Sequence, residues 1–514
     1  MSSTNISRRG FITSMGALGV AVSGAKLAGA QEQVQEADKT LDYDVVVIGS
    51  GIAGMSAALT AKDAGASVLI LESMGILGGN SNYAEGMFAV GSSLQKEMGI
   101  TDIDVESILD LEYDFQNYNV NTKLWELVAN NSADNIDWLI SKGVVFETVT
   151  STGSNVPLTW HIFEGGHGIS AIARLEAAAV EAGIDIMLST PATALLYDGM
   201  CVNGVQATGE DGTVYNINAG SVIIACGGCG CVPEMISSYT NRPGNRLFYR
   251  GGAGETGFGI NAVAEILGER PKNITACQIG LSIPGADLFA QLSACMSMEG
   301  SNMWVNQDGV RFVREDLTNY YTKASNAVQK QKAVFSIASQ DCFDHYMNDG
   351  CDTGFGMFVL PGTKCTNLPA DVETYASSEY FFKADTIAEL AQAIGLDAEV
   401  LTQTVEAYNA LCAAGEDTEY HKDSKFLISL ENGPFYAAHI LPNLLNTMGG
   451  VSISQDCQVI NENFEPVENL YCAGMDASGF QGETYGITIS GSCQGVAICT
   501  GRIAGQKAAE NALA

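Results

Sequence analysis

The chain is poor in basic side chains, and long apolar runs are also missing. Its 514 residues include 25 Lys and Arg against 59 Asp and Glu, a formal net charge of −34. A surface this acidic repels nucleic acid and anionic lipid, and would attract a basic partner. Beyond the first thirty residues, no apolar run reaches the ~20 residues that a membrane-spanning helix needs. We therefore expect neither nucleic-acid binding nor stable membrane insertion.

Cysteine patterns for covalent haem and for a metal centre are also lacking. No C-x-x-C-H motif occurs, so no c-type haem is attached to this chain. All 14 cysteines follow residue 200, and Cys226, Cys229 and Cys231 include one C-x-x-C spacing. A strong metal prediction would need a second such pair or a nearby histidine. We interpret these three as small buried residues beside a glycine-rich turn, and expect no metal site.

The first thirty residues have the pattern of an export signal. Arg8 and Arg9 precede a short apolar stretch, Met15 to Ala25, and Ala28-Gly29-Ala30 has the form of a cleavage site. The paired arginines predict a Tat-type signal peptide over residues 1–30, with a linker over 31–40; a Sec signal or a chance basic start are alternatives. Because Tat substrates are exported folded, we expect a cofactor loaded in the cytoplasm and a product at the periplasm or extracytoplasmic face of the envelope.

A nucleotide-binding motif follows in DYDVVVIGSGIAGMSAALTAKDAGASVLILES, residues 42–73. The apolar run VVVI predicts a strand covered on both faces. Gly49, Gly51 and Gly54 fit G-x-G-x-x-G, in which the glycines permit the turn, phosphate approach and helix packing. Glu72 ends the second predicted strand, where an acid accepts hydrogen bonds from ribose. The motif predicts dinucleotide binding but does not distinguish NAD from FAD.

Three further segments bear on that choice. GGNS (78–81) follows the ribose acid, and SVIIACGG (221–228) is a second buried strand ending in glycines. NLYCAGMDASG (469–479) repeats the strand-then-glycine pattern and leads to a final helix.

From Asp42 to its C-terminus the chain resembles flavoproteins of the fumarate reductase and succinate dehydrogenase type, with their ketosteroid dehydrogenase and urocanate reductase relatives. The motifs that carry the resemblance are GSGIAG with Glu72, GGNS, GISAIARLEAAAVEAGIDIMLSTPATALLYDGMCVNGV, VIIACGG, GETGFGINAVAEILG, VNQDGVRFVRE, NTMGGVSI and LYCAGMDASG.

The resemblance implies an α/β fold. It consists of a Rossmann-like FAD-binding domain of the two-dinucleotide-binding type, over 41–277 and 436–514, with an inserted α+β capping domain over 278–435. Substrate would lie at the seam between them, and FAD would be bound non-covalently. In the family the last helix directs its N-terminus at the flavin pyrimidine, where its positive end stabilises reduced flavin. The residues predicted to hold FAD are Gly49, Ser50, Gly51, Ala53, Gly54, Glu72, Ser73, Gly78, Gly79, Asn80, Ser81, Ala192, Ala225, Gly227, Met475, Asp476, Ile489 and Ser490.

The chain departs from the family where fumarate reductases bind a dicarboxylate. The family's HHTMGG reads LNTMGG (445–450), and its Q-x-H-P reads QIGL (278–281). Thr488 stands near the position of the carboxylate-binding arginine, and SIASQDCFD (336–344) lacks the proton-donor arginine. Since cationic donors are what suits carboxylates, we expect a substrate that is not a dicarboxylate. The predicted substrate contacts are Asn446, Thr447, Met448 and Thr488.

The family's proton relay is partly kept. GVRFVRE supplies Arg311 and Glu315, and NYYTKAS (319–325) places Tyr321 at the relay arginine. A buried phenol can donate a proton to a developing carbanion. Tyr485, which precedes the last helix, is a second candidate for this proton donor. Each could instead be an ordinary packed tyrosine. The predicted catalytic residues are therefore Arg311, Glu315, Tyr321 and Tyr485.

Together these features predict an exported FAD-dependent reductase, serving as a terminal reductase of anaerobic respiration. It would transfer hydride from flavin N5 to the activated C=C of an aryl acrylate, a phenolic alkene or an enone. Electrons would come from a cytochrome or another extracytoplasmic donor. A ketosteroid-type FAD dehydrogenase and a flavin-carrying binding protein without catalysis are the alternatives.

Overall fold

The computed structural model describes residues 34–152, 156–287, 290–356 and 359–514, so the predicted signal peptide lies outside the described residues. The α-helices are α1 Ile52–Asp63, α2 Ser93–Glu97, α3 Val105–Gln116, α4 Thr122–Ser141, α5 Gly168–Glu181, α6 Pro233–Tyr239, α7 Phe258–Leu267, α8 Gln291–Ser297, α9 Tyr321–Gln329, α10 Gln340–Asn348, α11 Leu368–Tyr375, α12 Ile387–Ala393, α13 Ala398–Ala414 and α14 Ser492–Ala512. Among the helices of these ranges, none combines the length and apolar character needed to cross a bilayer.

The strands are β1 Lys39–Ile48, β2 Val68–Leu71, β3 Gly86–Phe88, β4 Phe146–Thr150, β5 Trp160–Phe163, β6 Asp185–Met187, β7 Ala192–Tyr197, β8 Val202–Thr208, β9 Val214–Ile224, β10 Phe248–Tyr249, β11 Lys272–Ser282, β12 Met303–Asn306, β13 Val334–Ser339, β14 Phe381–Ala384, β15 Phe435–His439, β16 Leu441–Gly450, β17 Gln458–Ile460 and β18 Pro466–Cys472.

The largest sheet has the order β17-β18-β9-β1-β2-β6, with β8 and β7 continuing from β9. Strand β1 runs parallel to both β2 and β9, in the register Val45↔Val68 and Val45↔Ser221. The apolar run of β1 is fully buried, as a strand covered on both faces should be. The strand, glycine turn, helix and strand predicted for residues 42–73 are confirmed as β1, α1 and β2.

The last helix, α14, packs closely on α1. A Cβ at Gly501 would lie 2.3 Å from the Ala53 carbonyl oxygen, and one at Gly505 would lie 2.2 Å from that of Ala57. Only glycine permits this backbone approach. The contact fixes α14 against the helix that follows the nucleotide turn.

Two hydrophobic clusters account for most of the buried side chains. One surrounds the large sheet, and the other runs from Leu281 to Ile440 around the four-stranded sheet β12-β13-β15-β14. Strands β11 and β16, which pair antiparallel, carry the chain into and out of the second cluster. This arrangement is compatible with a capping domain over 278–435 inserted into an FAD domain, a division that stays a prediction.

Candidate active site

Most predicted cofactor residues lie along one edge of the large sheet. They follow the carboxyl ends of β1, β2, β9 and β18, which are parallel strands in the same sheet. In open α/β sheets this edge is where ligands bind. Ala192 begins β7 and lies two residues after Thr190, whose N–H donates to the Glu72 carbonyl (2.8 Å). The structure therefore brings these sequence-distant residues to one region.

The glycine turn fits a bound pyrophosphate. Gly49 has φ +106°, and a Cβ there would lie 2.2 Å from the Ala225 carbonyl oxygen. A Cβ at Gly54 would lie 2.0 Å from the Gly49 carbonyl oxygen, so this glycine lets α1 pack on the turn. At Gly51, the N-cap of α1, the nearest atom would be 3.6 Å away, and this residue has no side chain to cap the helix. An anion can therefore approach the helix N-terminus, as a dinucleotide requires.

Glu72 is tied to the same turn. Its Oε2 accepts from the Ser50 amide (3.1 Å) and hydroxyl (2.5 Å), while Oε1 accepts from the amide of Met74 (2.8 Å) and the hydroxyl of Ser73 (3.3 Å). Glu72 is buried. The carboxylate is held in one orientation at the end of β2, and a ribose hydroxyl would share its oxygens with the protein donors.

The GGNS loop is fastened to the nucleotide turn by its own polar atoms. The Gly78 amide donates to the Ser50 hydroxyl (3.0 Å), and the Ile52 amide donates to the Ser81 hydroxyl (3.0 Å). Gly78 and Gly79 both have positive φ, which a tight polar loop of this kind requires.

Asn80 connects this loop to the rest of the site. Its Nδ2 donates to the Leu445 carbonyl (3.0 Å) and to the Glu255 carboxylate, whose other oxygen accepts from Tyr249 (2.9 Å). Burial raises the pKa of Glu255 well above its usual value. Sequence reasoning missed Glu255; its position inside the quoted motif GETGFG was the available signal.

We call the predicted FAD residues at the carboxyl ends of β1, β2, β9 and β18 the FAD cradle, and Asp476 belongs to it. Its carboxylate accepts from the amides of Gly227 (2.8 Å) and Gly228 (3.2 Å). Burial raises its pKa to about 6, and these two hydrogen bonds oppose that rise. Met475, its neighbour, is also buried. The acid joins β9 to β18 where the cofactor residues converge.

The N-terminus of α14 is uncapped by side chains. Gly491 takes a left-handed conformation before the helix, and the first turn contains no acidic residue. Ile489 and Ser490 are buried, and the Ser490 hydroxyl accepts from the Thr152 amide (3.0 Å). Two open helix N-termini, on α1 and α14, suit the pyrophosphate and the pyrimidine of FAD, so the residues present fit this cofactor.

Tyr321 is the first residue of α9, in the second hydrophobic cluster. Its hydroxyl oxygen accepts from the Gly356 amide (3.0 Å), and its ring lies 5.7 Å from that of Phe355. Burial raises the pKa of Tyr321 to about 12, although the Gly356 bond opposes this. The phenol is therefore protonated at neutral pH, and the amide satisfies its oxygen without using its proton.

Gly280 stands where the resembled family has a histidine. Its φ is +71°, and a Cβ would lie 2.9 Å from Met298 Sδ and 3.1 Å from Phe355. A side chain at this φ would be strained, and it would also meet Met298 and Phe355. A thioether and an aromatic ring therefore surround the position of the family's histidine, and the ring of Phe355 contacts Tyr321.

Glu299 anchors the segment that carries Phe355 and Gly356. Its carboxylate accepts from the amides of Asp352 (2.8 Å), Thr353 (3.2 Å) and Gly354 (2.9 Å). Burial raises the pKa of Glu299 to about 7 against the effect of these bonds. Sequence reasoning missed this residue because its partners follow more than fifty positions later.

Tyr485 lies in the other hydrophobic cluster, among polar side chains near the start of α14. The Ser492 hydroxyl donates to its oxygen (3.3 Å), and Cys493 is a further hydrogen-bond partner. Burial raises the pKa of Tyr485 well above its usual value. The structure thus assigns the two candidate proton donors to different hydrophobic clusters.

The four predicted substrate contacts divide into two pairs. Asn446 Oδ1 and Thr488 Oγ1 are buried and have no hydrogen-bond partner among the described residues. Thr447, in contrast, accepts from the Cys229 amide (2.8 Å), and Met448 is packed in the first hydrophobic cluster. Only Asn446 and Thr488 therefore retain polar atoms that a ligand could satisfy.

Arg311 and Glu315 form part of a buried ion network. Arg311 contacts Glu315 (2.9 Å) and Asp417 (2.8 Å), and Lys422 lies 3.3 Å from the Glu315 carboxylate. Burial alone would lower the pKa of Arg311, but hydrogen bonds and charges from both acids raise it. The catalytic role assigned to these two residues stays a prediction, since their contacts hold parts of the chain together.

Comparison with known proteins agrees with this geometry. Residues 44–486 match the family model described as an FAD binding domain. A vinyl phenol reductase of Lactiplantibacillus plantarum is 33% identical over 477 residues, covering 91% of this chain and 96% of that protein. A urocanate reductase of Eggerthella lenta is 30% identical over 484 residues, covering 91% and 75%.

Solved structures show the same fold. The open conformation of a flavocytochrome c3 fumarate reductase superposes with a TM-score of 0.71 at 28% identity, covering 93% of this chain and 79% of the other. A 3-ketosteroid Δ1-dehydrogenase from Sterolibacterium denitrificans gives 0.72 at 20% identity, covering 91% and 99%, a likeness of fold alone. The predicted α/β FAD-binding fold is confirmed. The chain belongs to this FAD-binding family and is an FAD-dependent oxidoreductase acting on CH–CH or C=C bonds.

Proposed function

We propose that the chain is an exported reductase that saturates the activated C=C of a small conjugated molecule other than a dicarboxylate. A phenolic alkene is the leading substrate class, ahead of aryl acrylates and enones. The similarity along nearly the whole chain to a protein named vinyl phenol reductase supports this class.

The observation that carries the proposal is the composition of the wall around Gly280. Where the family has a histidine, Gly280 is packed against Met298 and Phe355, next to Tyr321. Such a wall favours an aromatic ring and offers no cation to a carboxylate. Asn446 and Thr488 stand at two other binding positions of the family. Their side-chain oxygens are neutral and have no hydrogen-bond partner among the described residues.

The residues that would hold FAD are those of the sheet edge, including the glycine turn, Glu72, Ser81, Asp476 and the α14 N-terminus. Bound and reduced FAD supplies a hydride. Tyr321 then donates its phenolic proton to the substrate carbon next to the one that has received the hydride. The Gly356 amide, which already donates to the phenol oxygen, stabilises the phenolate that forms.

Three other acidic or basic side chains have supporting roles in this proposal. Glu299 holds Gly356 in place through the amides of the preceding residues. Arg311 and Glu315 fix the chain ahead of α9 by their buried ion pair. Tyr485 remains the second candidate donor, on the segment that leads into α14.

Export through the twin-arginine pathway and an extracytoplasmic electron donor, such as a cytochrome, complete the proposal. Both rest on the sequence of residues 1–30 and on the absence of a haem motif. Fusing residues 1–30 to a reporter tests export: we expect secretion in a Tat-competent host and none in a strain without the Tat translocase.

The enzymatic test uses FAD-loaded protein reduced with dithionite under argon. We expect a vinyl phenol to reoxidise the flavin, while fumarate neither reoxidises it nor competes. Binding of fumarate in competition with the vinyl phenol would show that the substrate site itself accepts a dicarboxylate, and the substrate class would be wrong. Reaction only with a saturated ketone and an added acceptor would instead favour a dehydrogenase.

A further inference from the structure

A cavity of about 710 Å³ adjoins the segment 478–484. Its walls include the first half of β11, the C-terminal end of α9, the end of α6 with residues 240–242, and this segment. Residues between 118 and 124 and between 452 and 464 complete the lining. The volume suits a small organic ligand, for which protein cavities measure about 300–1,000 Å³. None of the residues assigned above to FAD or to substrate lines it.

Arg242 lines this cavity and is held by neutral acceptors. Its Nη1 donates to the side-chain oxygens of Gln278 (2.6 Å), Asn326 (2.9 Å) and Gln329, and Nη2 donates to the Glu483 carbonyl (2.7 Å). Three side-chain amides and one peptide carbonyl orient the guanidinium, and none of these four groups carries a charge.

The electrostatic state of Arg242 differs from that of Arg311. Burial lowers the pKa of Arg242, and the nearby Glu483 carboxylate and Cys277 only partly oppose this. Arg311, in contrast, makes direct ion pairs with Glu315 and Asp417. In a chain with a net charge of −34, Arg242 is a partly desolvated cation without a carboxylate contact among the described residues. Such a cation attracts an anion.

Gln329 adds a donor that has no acceptor. Its Oε1 accepts from Arg242, which leaves its Nε2 to donate to another group. This Nε2 is buried without a hydrogen-bond partner among the described residues, and the residue is 8% exposed. An unpaired buried donor costs about 1–3 kcal/mol unless a ligand satisfies it. Arg242 and Gln329 together therefore present donors to an anionic acceptor.

The remaining walls are partly apolar. Leu124, Tyr239, Ile274, Ala276 and Ile453 line the same cavity. A fully hydrated inorganic anion gains little from such walls, whereas an organic acid can place its hydrocarbon part against them.

We infer that this cavity is a second binding site, for a small organic monocarboxylate with an apolar or aromatic body. Its carboxylate contacts Arg242 and Gln329 Nε2, and its body packs along β11. The planar carboxylate matches the donor geometry of a guanidinium beside an amide.

The site has a physical link to both candidate proton donors. Arg242 binds the Glu483 carbonyl, and Asn326 Nδ2 donates to the Thr484 hydroxyl (3.1 Å), directly before Tyr485. Asn326 and Gln329 also belong to α9, which begins at Tyr321. A bound carboxylate thus contacts the elements that position the reaction site.

The test is calorimetric titration of the FAD-loaded protein with 3-phenylpropanoate, its neutral amide and inorganic phosphate. We expect the carboxylate to bind with a stoichiometry of one, and the amide and phosphate to bind at least about tenfold more weakly. Equal binding of the amide, tighter binding of phosphate, or no binding of the carboxylate overturns the inference.

Variants then locate the site. Arg242→Met and Gln329→Leu should each weaken carboxylate binding, the first by at least about tenfold, since a charge-assisted bond is lost. Arg174→Gln is the control, because Arg174 is an exposed arginine paired with Glu164. FAD absorbance and thermal unfolding report whether each variant is folded. If Arg242→Met does not fold, Gln329→Leu decides, and unchanged affinity in a folded variant places the carboxylate elsewhere and overturns the inference.

Discussion

The FAD cradle and the proposed substrate seam, to which we assign Tyr321, Asn446 and Thr488, differ in how their polar groups are satisfied. In the cradle, Glu72 and Asp476 accept hydrogen bonds from the chain itself. At two positions of the proposed seam, Asn446 and Thr488 keep buried oxygen atoms without a partner among the described residues. Unpaired buried polar atoms are costly, so in our proposal a bound substrate satisfies them. The proposal thus assigns cofactor binding to the cradle and substrate choice to the seam.

Gly54→Ala should break the cradle and have the largest effect. A Cβ would lie 2.0 Å from the Gly49 carbonyl oxygen, a backbone atom that cannot move without separating α1 from β1. We expect a loss of about 3 kcal/mol or more in the free energy of unfolding and no bound FAD, measured by urea denaturation and flavin absorbance.

Gly51→Ala sharpens this prediction. Its Cβ has 3.6 Å to the nearest atom, so the folded chain should tolerate it, yet Gly51 is the N-cap of α1, where we place the pyrophosphate. We expect nearly unchanged unfolding but weakened FAD binding. Full FAD affinity in this variant would contradict the proposed location of the pyrophosphate.

Tyr321→Phe should impair the seam without affecting the cradle. The variant keeps the ring beside Phe355 but removes the proton, so alkene reduction should fall ~10²–10⁴-fold while flavin reduction by dithionite is unchanged. Stopped-flow absorbance separates the two half-reactions. Tyr485→Phe is the matched variant, and a loss of turnover in it alone would assign the donor to the segment before α14.

The cradle could be predicted from sequence because its chemistry depends on short spacings. Gly49, Gly51, Gly54 and Glu72 lie within one strand–helix–strand unit, whose geometry follows from local backbone rules. The departure from the family at Asn446 was also visible, since Asn446 falls inside the motif LNTMGG, and Thr488 stands near the expected position of an arginine. That these positions lack partners was not visible, because burial depends on the packing of distant segments.

The support of the seam could not be predicted for the same reason. Glu299 and Arg242 are isolated in sequence from the groups they contact, such as Gly354 and Gln329. Arg311 and Glu315 were assigned to catalysis by resemblance alone, and their contact with Asp417 becomes apparent only in three dimensions.

Glu299→Gln tests whether the seam depends on its anchor. One acceptor oxygen becomes an NH₂ group facing backbone amides, so we expect a loss of about 1–3 kcal/mol in unfolding free energy. Turnover should fall by roughly tenfold, less than in Tyr321→Phe, since the phenol remains but Gly356 shifts. Glu373→Gln, on the exposed side of α11, is the control. Normal turnover in Glu299→Gln would show that this acid does not influence catalysis by Tyr321.

The last prediction concerns Glu112, on α3, which contacts the segment before α14 through Gln481. Its Oε1 accepts from Gln116 (2.9 Å) and Gln481 (3.4 Å), and Gln481 Oε1 accepts from the Gly486 amide (2.7 Å). Burial raises the pKa of Glu112 to about 7, and hydrogen bonds from Gln116 and Gln481 oppose this rise. The folded chain therefore holds this proton more tightly than the unfolded chain, whose carboxyl has a pKa of about 4.5.

The sign of the pH effect follows from that difference. Stability contributed by Glu112 is complete below about pH 4.5 and is lost as the pH rises to about 7, by up to about 1.4 kcal/mol per pH unit. Glu112→Gln has no proton to lose, so its unfolding free energy should fall less steeply over this range. Glu299 and Asp476 titrate in the same window, so the comparison is the difference in slope between variant and parent at pH 5, 6 and 7. Asp110→Asn, exposed on the same helix, should keep the parent slope. A parent-like slope in Glu112→Gln would mean that Glu112 is ionised in the folded chain, and the segment at Gly486 would then be held by a charge rather than by a neutral acid.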